Sequence, residues 1–271
     1  SRRIAALERR IGHVLFDRTR RGLAPTAAAV ALAPHAEAMD SCARAASGAL
    51  DGLEQAPEGV VRLAVPEGFA VDLVPALLPE LARRAPAVRL EVLADNRLVD
   101  LGRREADLAL RGARPEGGDL LVQRLPDVPL GLYASAGTVA GLPAGATLRD
   151  VELVQYTAEL AHLPTHTWVE RALDGRRPAL TSNSFLALRA AVAAGTGAIV
   201  LPSLQALWSG LVEVPVPIDP PLPATQWFLV VPRPLRAVPR VAVVVQLVQD
   251  AVHAACVARV WPPPGFARGP R

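Results

Sequence analysis

The sequence predicts an α/β protein, in which short strands alternate with helices behind a small basic head and one long helix. Three observations predict it. From Gly59 onward short apolar runs alternate with helical stretches, the pattern of α/β folds with largely parallel sheets. Residues 27–55 form one alanine-rich stretch with a continuous stripe of small and apolar side chains. Residues 1–25 hold seven arginines against Glu8 and Asp17, a local charge of +5, whereas the remaining residues hold 22 arginines against 24 acids. The basic charge is therefore concentrated, which suits a phosphate backbone better than a diffuse surface charge does.

In the head, Ile4, Leu7, Ile11 and Leu15 recur at helical spacing and predict a helix with one buried face. Arg2, Arg3, Arg9 and Arg10 fall largely off that stripe, and Gly12 marks the helix end. Residues 15–19 and 23–25 flank Arg20-Arg21-Gly22, a turn with glycine where positive φ costs least, so a hairpin with a basic tip is expected. On composition alone, a solvated amphipathic helix followed by a basic loop accounts for these residues equally well. Thr26 is placed to cap a helix over 27–55, Pro34 predicts a kink or a late start, and Pro57-Glu58-Gly59 predicts the stop. The stripe of Val30, Leu32, Met39, Ala43, Ala46, Leu50 and Leu53 suits packing on the protein's own domain or pairing with a twin. The helix is too long and alanine-rich to bury much alone, which favours the twin.

In the body, the apolar runs predict strands at 60–65, 88–93, 107–110, 130–134, 179–182, 198–201 and 227–231. Helices are predicted over 69–84, 98–104, 185–194 and 238–255, and residues 147–150 open a second lobe. The tail 257–271, with Pro262-Pro263-Pro264, is expected to be disordered. No apolar run is read as approaching the roughly 20 residues needed to span a bilayer, so a soluble protein without a membrane partner is expected. Cys42 and Cys256 are isolated, which fits a reducing cytoplasm.

All 29 basic residues are arginine, and the absence of lysine excludes Schiff-base chemistry and the phosphate-binding lysine loop. No nucleophile elbow or paired-cysteine motif is present, and Gly195-Thr196-Gly197 is better read as a helix end and close turn than as a nucleotide loop. His162 and His166 are four apart, but Pro164 disfavours a shared helix and no third ligand is near. No metal, cofactor or catalytic residue is expected. What the residues do suggest is a cleft. Pro66-Glu67-Gly68-Phe69 and Ser182-Asn183-Ser184-Phe185 each lie where a strand hands over to a helix, and ligands of open α/β sheets lie at such ends. Ser184 is also an ordinary N-cap, Asn96 a turn former as readily as a ligand contact, and Arg111 a partner for Asp107 or Glu105 as readily as for an effector carboxylate.

The order I-x-x-LE-x-x-I-G-x-x-LF-x-R, then R-x-G-x-x-x-T, resembles the LysR-type transcriptional regulators at Ser1, Ile4, Leu7, Glu8, Ile11, Gly12, Leu15, Phe16, Arg18, Gly22 and Thr26. Three later phrases, GVVRLAVPEGFAVDLVPALLPEL, ADNRLVDLGRREADLALRG and LTSNSFLALRAAVAAGTGAIVLPSL, resemble that family's effector domain in the family's order. The resemblance implies a partial winged helix-turn-helix over 1–25, a linker or dimerisation helix over 26–57, and a two-lobed, periplasmic-binding-protein-like effector domain over 58–256. Its first lobe would take about 58–137 and 223–256, and its second about 138–222, while the head's earlier helices would precede Ser1. Ser1, Arg2, Arg3, Arg18, Arg20 and Arg21 would face double-stranded promoter DNA. The effector, a small molecule that is read as carboxylate-bearing, would meet Pro66, Glu67, Gly68, Phe69, Asn96, Arg111, Ser182, Asn183, Ser184 and Phe185. Glu67 departs from the small polar residue common there, and a carboxylate would disfavour an anionic ligand unless Arg111 compensates it.

The leading expectation is thus a cytoplasmic, dimeric or tetrameric, effector-responsive regulator that is not an enzyme. A solute-binding protein of the same two-lobed fold has no use for the basic hairpin, and a transferase on this scaffold needs a nucleophile or base that the sequence does not offer.

Overall fold

The structure, a computed structural model, describes residues 2–19, 22–36, 39, 56–94, 101, 105–115, 119–223, 225–258 and 266. It divides into two compact units, residues 1–53 and 54–271.

In the first unit, helix α1 (Arg2–Ile11) leads into a hairpin of β1 (Phe16–Thr19) and β2 (Gly22–Pro25), paired antiparallel with Thr19 opposite Gly22. Helix α2 (Ala27–Ala36) follows. Two polar residues hold the pieces together. Glu8 Oε1 accepts from the amide of Leu15 at 2.7 Å, tying α1 to the start of the hairpin. Thr26 Oγ1 accepts from the Ala29 amide at 3.2 Å as the N-cap of α2 and donates to the Val14 carbonyl at 2.8 Å. Gly12, at φ +72°, lets the chain leave α1. Leu15 is buried, but Leu7 and Ile11 are exposed, so the expected apolar stripe is only partly covered in this unit. The helix runs through Pro34 to Ala36, where a kink or late start was predicted. Most of the predicted continuation over 37–55 lies outside the described residues.

The second unit holds two lobes. In the first, a five-stranded sheet has the order β4-β3-β5-β12-β6, with β3 (Gly59–Val65), β4 (Val88–Ala94), β5 (Leu108–Arg111), β6 (Leu120–Arg124) and β12 (Phe228–Pro232). Strand β3 runs parallel to β4 and β5, but β12 is antiparallel to both its neighbours. The sheet is therefore mixed, not largely parallel: its fourth strand arrives from the other lobe and enters from the opposite end. Helices α4 (Val74–Arg84) and α9 (Pro239–Ala258) cover one face, with Leu77, Leu81, Val241, Val245 and Val248 buried against Val61, Leu63 and Leu229. The helix expected over 69–84 is broken at Leu73 into α3 (Glu67–Asp72) and α4. Pro75 lacks the amide that would have bonded the Val71 carbonyl, so the ladder cannot continue there.

The second lobe contains the antiparallel sheet β10-β7-β11, from β7 (Leu130–Ala134), β10 (Ala198–Pro202) and β11 (Val212–Glu213). A parallel pair, β8 (Val154–Tyr156) and β9 (Leu180–Ser182), extends it through a single bridge from Leu153 to Ala198. Helices α5 (Ala136–Ala140), α6 (Pro164–Leu173), α7 (Phe185–Ala193) and α8 (Ser203–Ser209) complete it. Strand β7 thus belongs to the second lobe, although the sequence reading put residues up to 137 in the first. The chain crosses between lobes twice, after Leu125 and again after Leu222. Gly197, at φ +75°, lies so close to the Glu152 carbonyl that a Cβ would meet its oxygen at 2.5 Å, which accounts for the close turn after α7.

Three further expectations change. Helix α9 is 20 residues long and apolar enough to cross a membrane by length and composition, contrary to the reading that no such run exists. Eight of its residues are buried, seven of them in the first lobe's core, so its hydropathy has a structural use. The predicted tail begins inside α9, and Phe266 packs against that same core; the other tail residues after Ala258, and all of the predicted helix 98–104 except the buried Leu101, lie outside the described residues. Elements β6, α5, β8, α6, α8 and β11 had not been assigned from sequence. Pro164 opens α6 as its first residue, where a missing amide costs nothing, so His166 lies on a helix that His162 precedes.

Candidate functional site

Between the lobes of the second unit lies a cavity of about 300 Å³. The first lobe contributes the carboxyl ends of β3 and β5, through Val65, Pro66, Gly68 and Arg111, together with Trp227. The second contributes Tyr156 at the end of β8, His162 and Thr165 around the start of α6, Phe185 at the start of α7, and Gln205 of α8. Strand ends face one another across the gap, as the strand-to-helix junctions in the sequence suggested.

Four of the expected effector residues line this cavity: Pro66, Gly68, Arg111 and Phe185. The others have different partners. Phe69 turns into the first lobe's core, where its ring meets Trp227 edge-on at 4.6 Å between centroids. Ser184 caps α7, its hydroxyl accepting from the Ala187 amide at 3.3 Å, and Ser182 accepts from the Ser184 amide at 3.1 Å. Asn183 is exposed and is not part of the cavity wall. Asn96 lies outside the described residues. Asp107, considered as a partner for Arg111, accepts from the Arg62 amide at 2.8 Å.

Glu67 has the most informative position. Its Oε2 accepts from the Phe185 amide at 2.8 Å and from the Ser184 hydroxyl at 3.1 Å. The first amide of α7, which the sequence reading offered to an effector carboxylate, is bonded to a carboxylate of the chain itself. One turn further along, Asp72 and Arg189 pair across the same junction at 2.5 Å, both largely buried. Burial pushes the Asp72 carboxyl up to about 6, although its bond from Arg189 pulls the other way. Arg189 also lies over the Phe185 ring, 5.4 Å from its centroid. Gly68 allows the close approach: a Cβ there would meet the Phe185 ring at 2.9 Å.

The cavity wall is otherwise chiefly apolar and aromatic. Burial, with a smaller contribution from the Glu67 charge, raises the Tyr156 hydroxyl above its ordinary range, so it stays neutral and can both donate and accept. Sequence reasoning missed Tyr156, His162, Thr165, Gln205 and Trp227. The rule that found Pro66 would have found Tyr156, at a strand end, but β8 is only three residues long and was not recognised; Gln205 follows the predicted β10 on α8, a helix that was not.

His166 is buried, and its Nδ1 stands 3.7 Å from Glu170 Oε2, too far for a hydrogen bond. Among the described residues no group of three or more potential ligands could hold a metal ion.

In the first unit, Arg3, Arg9 and Arg10 are exposed along α1. Arg2 lies on the same helix and Arg18 on β1, while Ser1, Arg20 and Arg21 are outside the described residues.

Comparison with known proteins places both units. Residues 54–253 match the LysR substrate binding domain, and residues 1–30 match the bacterial regulatory helix-turn-helix protein, lysR family. The HTH-type transcriptional regulator PtxR of Pseudomonas aeruginosa is 29% identical over 215 residues, covering 75% of this chain and 67% of that one. The Mau operon transcriptional activator of Paracoccus denitrificans is 29% identical over 202 residues, covering 74% and 68%. Among solved structures, the full-length virulence activator AphB of Vibrio cholerae shares the fold at a TM-score of 0.61 and 17% identity, over 93% of this chain and 88% of that one. CrgA of Neisseria meningitidis does so at 0.61 and 21%, over 92% and 87%. The basic head, the two-lobed body and the cavity between its lobes therefore have one explanation: the chain belongs to the LysR-type transcriptional regulators, with a DNA-binding head and an effector-binding domain.

Proposed function

We propose that the interlobe cavity is the effector site and that the arginines of the first unit carry the DNA contacts of a cytoplasmic regulator. The observation that carries this reading is the cavity itself, about 300 Å³ at opposed strand ends between two lobes, with Arg111, Tyr156 and Gln205 among its few polar groups. A ligand that touches both lobes stabilises one relative arrangement of them, and any difference in affinity between arrangements becomes a shift in their populations. Arg2, Arg3, Arg18, Arg20 and Arg21, with Ser1, are the groups proposed to meet the major groove and phosphates. The helix that starts at Ala27 and the residues up to 57 are proposed to join two copies, so that lobe movement changes the spacing of two heads.

Two measurements test this. Duplex DNA binding followed by fluorescence anisotropy should weaken steeply with salt, by about 0.9 log units per log unit of salt for each phosphate neutralised. Arg3→Ala and Arg18→Ala should each lower that slope by about one such contact. A slope unchanged in both variants places the DNA surface elsewhere. For the cavity, Thr165→Trp fills space at its wall; effector binding that survives this change refutes the site.

A further inference from the structure

We infer that Glu67 acts as a tethered carboxylate that keeps the anion position at the start of α7 filled, so that the cavity selects an uncharged, largely apolar, ring-bearing effector. This rests on the cavity being the effector site. The first amide of α7 and the Ser184 hydroxyl both donate to Glu67 Oε2, at 2.8 and 3.1 Å. The Ala187 amide donates to Ser184, and the Ser184 amide to Ser182. A ligand carboxylate arriving here would displace one that is already in place and already paired, and would do so beside a second negative charge.

Charge complementarity thus argues against an anion at this end of the cavity, although a helix N-terminus on its own attracts one. Arg111, the arginine in the wall, already takes part in another interaction, and the rest of the wall points to the alternative. Tyr156, Phe185 and Trp227 offer aromatic faces to a ring. Val65, Leu130 and Val200 surround it with aliphatic groups, while the neutral Tyr156 hydroxyl and the buried Gln205 amide can orient one polar substituent. The Glu67 carboxylate, although its flanking Pro66 and Gly68 line the cavity, is turned to α7 and is not itself part of the wall.

The test compares benzyl alcohol with benzoate, which share a ring and differ in charge, by calorimetry on the full chain, with folding checked by thermal melting. The native chain should bind benzyl alcohol more tightly than benzoate. Glu67→Ala vacates the α7 amide and should improve benzoate by about ten-fold or more, the worth of one charge-assisted hydrogen bond, with little change for the alcohol. Glu67→Gln still fills the position with a carbonyl acceptor, so it should improve benzoate far less than alanine does. Equal gains from Gln and Ala would show that charge alone, not occupancy, excludes the anion, and would overturn the tethered-ligand account. Tighter binding of benzoate by the native chain, or an unchanged ratio in Glu67→Ala, would also overturn it. Thr165→Trp separates the two levels of the argument: it should abolish binding of both probes, and binding that persists in it, or absence of either probe's binding in every variant, refutes the cavity reading itself.

Discussion

Among the described residues the two lobes meet through contacts of opposite chemistry. Where α3 meets α7 the contact is polar: Glu67 bonds the start of α7, and Asp72 pairs with Arg189. Beside it, Phe69, Leu73, Val128, Leu204, Trp227 and Val252 enclose a small apolar space, and Leu204 of α8 packs against Ala255 of α9. The apolar contact is nondirectional and tolerates small slippage, whereas the polar one fixes a register because each donor has one acceptor at one distance. In the proposed ligand response, the first would serve as a sliding surface and the second as a latch. The difference teaches which side a ligand would influence: displacing a latch changes an equilibrium between arrangements, while filling apolar space adds affinity to whichever arrangement has the space.

The largest effect should come from the apolar side. Phe69→Ala removes a buried ring from the first lobe's core and from its edge-on contact with Trp227, at a cost of about 3–5 kcal/mol. Urea unfolding followed by tryptophan fluorescence measures it. A loss below about 1 kcal/mol would mean that the apolar contact collapses easily and contributes little.

Next is the latch. Arg189→Met keeps much of the side-chain volume but leaves the Asp72 carboxylate buried without its cation, a change worth about 3 kcal/mol near pH 7.5. The pH dependence has a definite sign. The Asp72 carboxyl titrates near 6 when folded, against an ordinary 3.8, so between those values the folded protein holds a proton that the unfolded chain has released. Asp72 therefore contributes stability that falls as pH rises through that window and is level above it. Asp72→Asn should flatten this slope between pH 4 and 6. Arg189→Met should be least harmful near pH 5 and most harmful above pH 7, and an equal cost at both would show that the aspartate is charged throughout.

The same contrast decides what was legible in the sequence. Apolar patterning announced β3 and β4 of the first lobe, because they are long and well bounded, and it announced α9 through its valine-rich repeat, but it did not announce β6. The head was legible because Glu8, Gly12 and Thr26 each have a local task whose chemistry permits few substitutes. Strand β8 was not, since three residues carry too little periodicity, and the mixed direction of the first sheet was not, since β12 returns from another lobe and pairs by tertiary contact alone. At the site, the two junctions could be located but their relation could not. That Glu67 spans from one to the other depends on a meeting of residues 118 apart, although the presence of a carboxylate at that position was already a sign against an anionic ligand.

The smallest predicted effect is the most discriminating. Read from sequence, Ser184 is either an effector contact or a helix cap, and the structure has it bonding the Ala187 amide and donating to Glu67. Ser184→Ala should then cost about 1 kcal/mol of stability through the lost cap. The Phe185 amide keeps its bond to Glu67, so the latch is weakened but not released, and no cavity wall is altered because Ser184 is not among its residues. Affinity for an effector should accordingly stay within about two-fold of native, well under the tenfold that 1.4 kcal/mol would produce. A large loss of affinity with unchanged stability would reverse the assignment, making the junction at Ser182–Phe185 a binding surface and returning the latch to Asp72 and Arg189 alone.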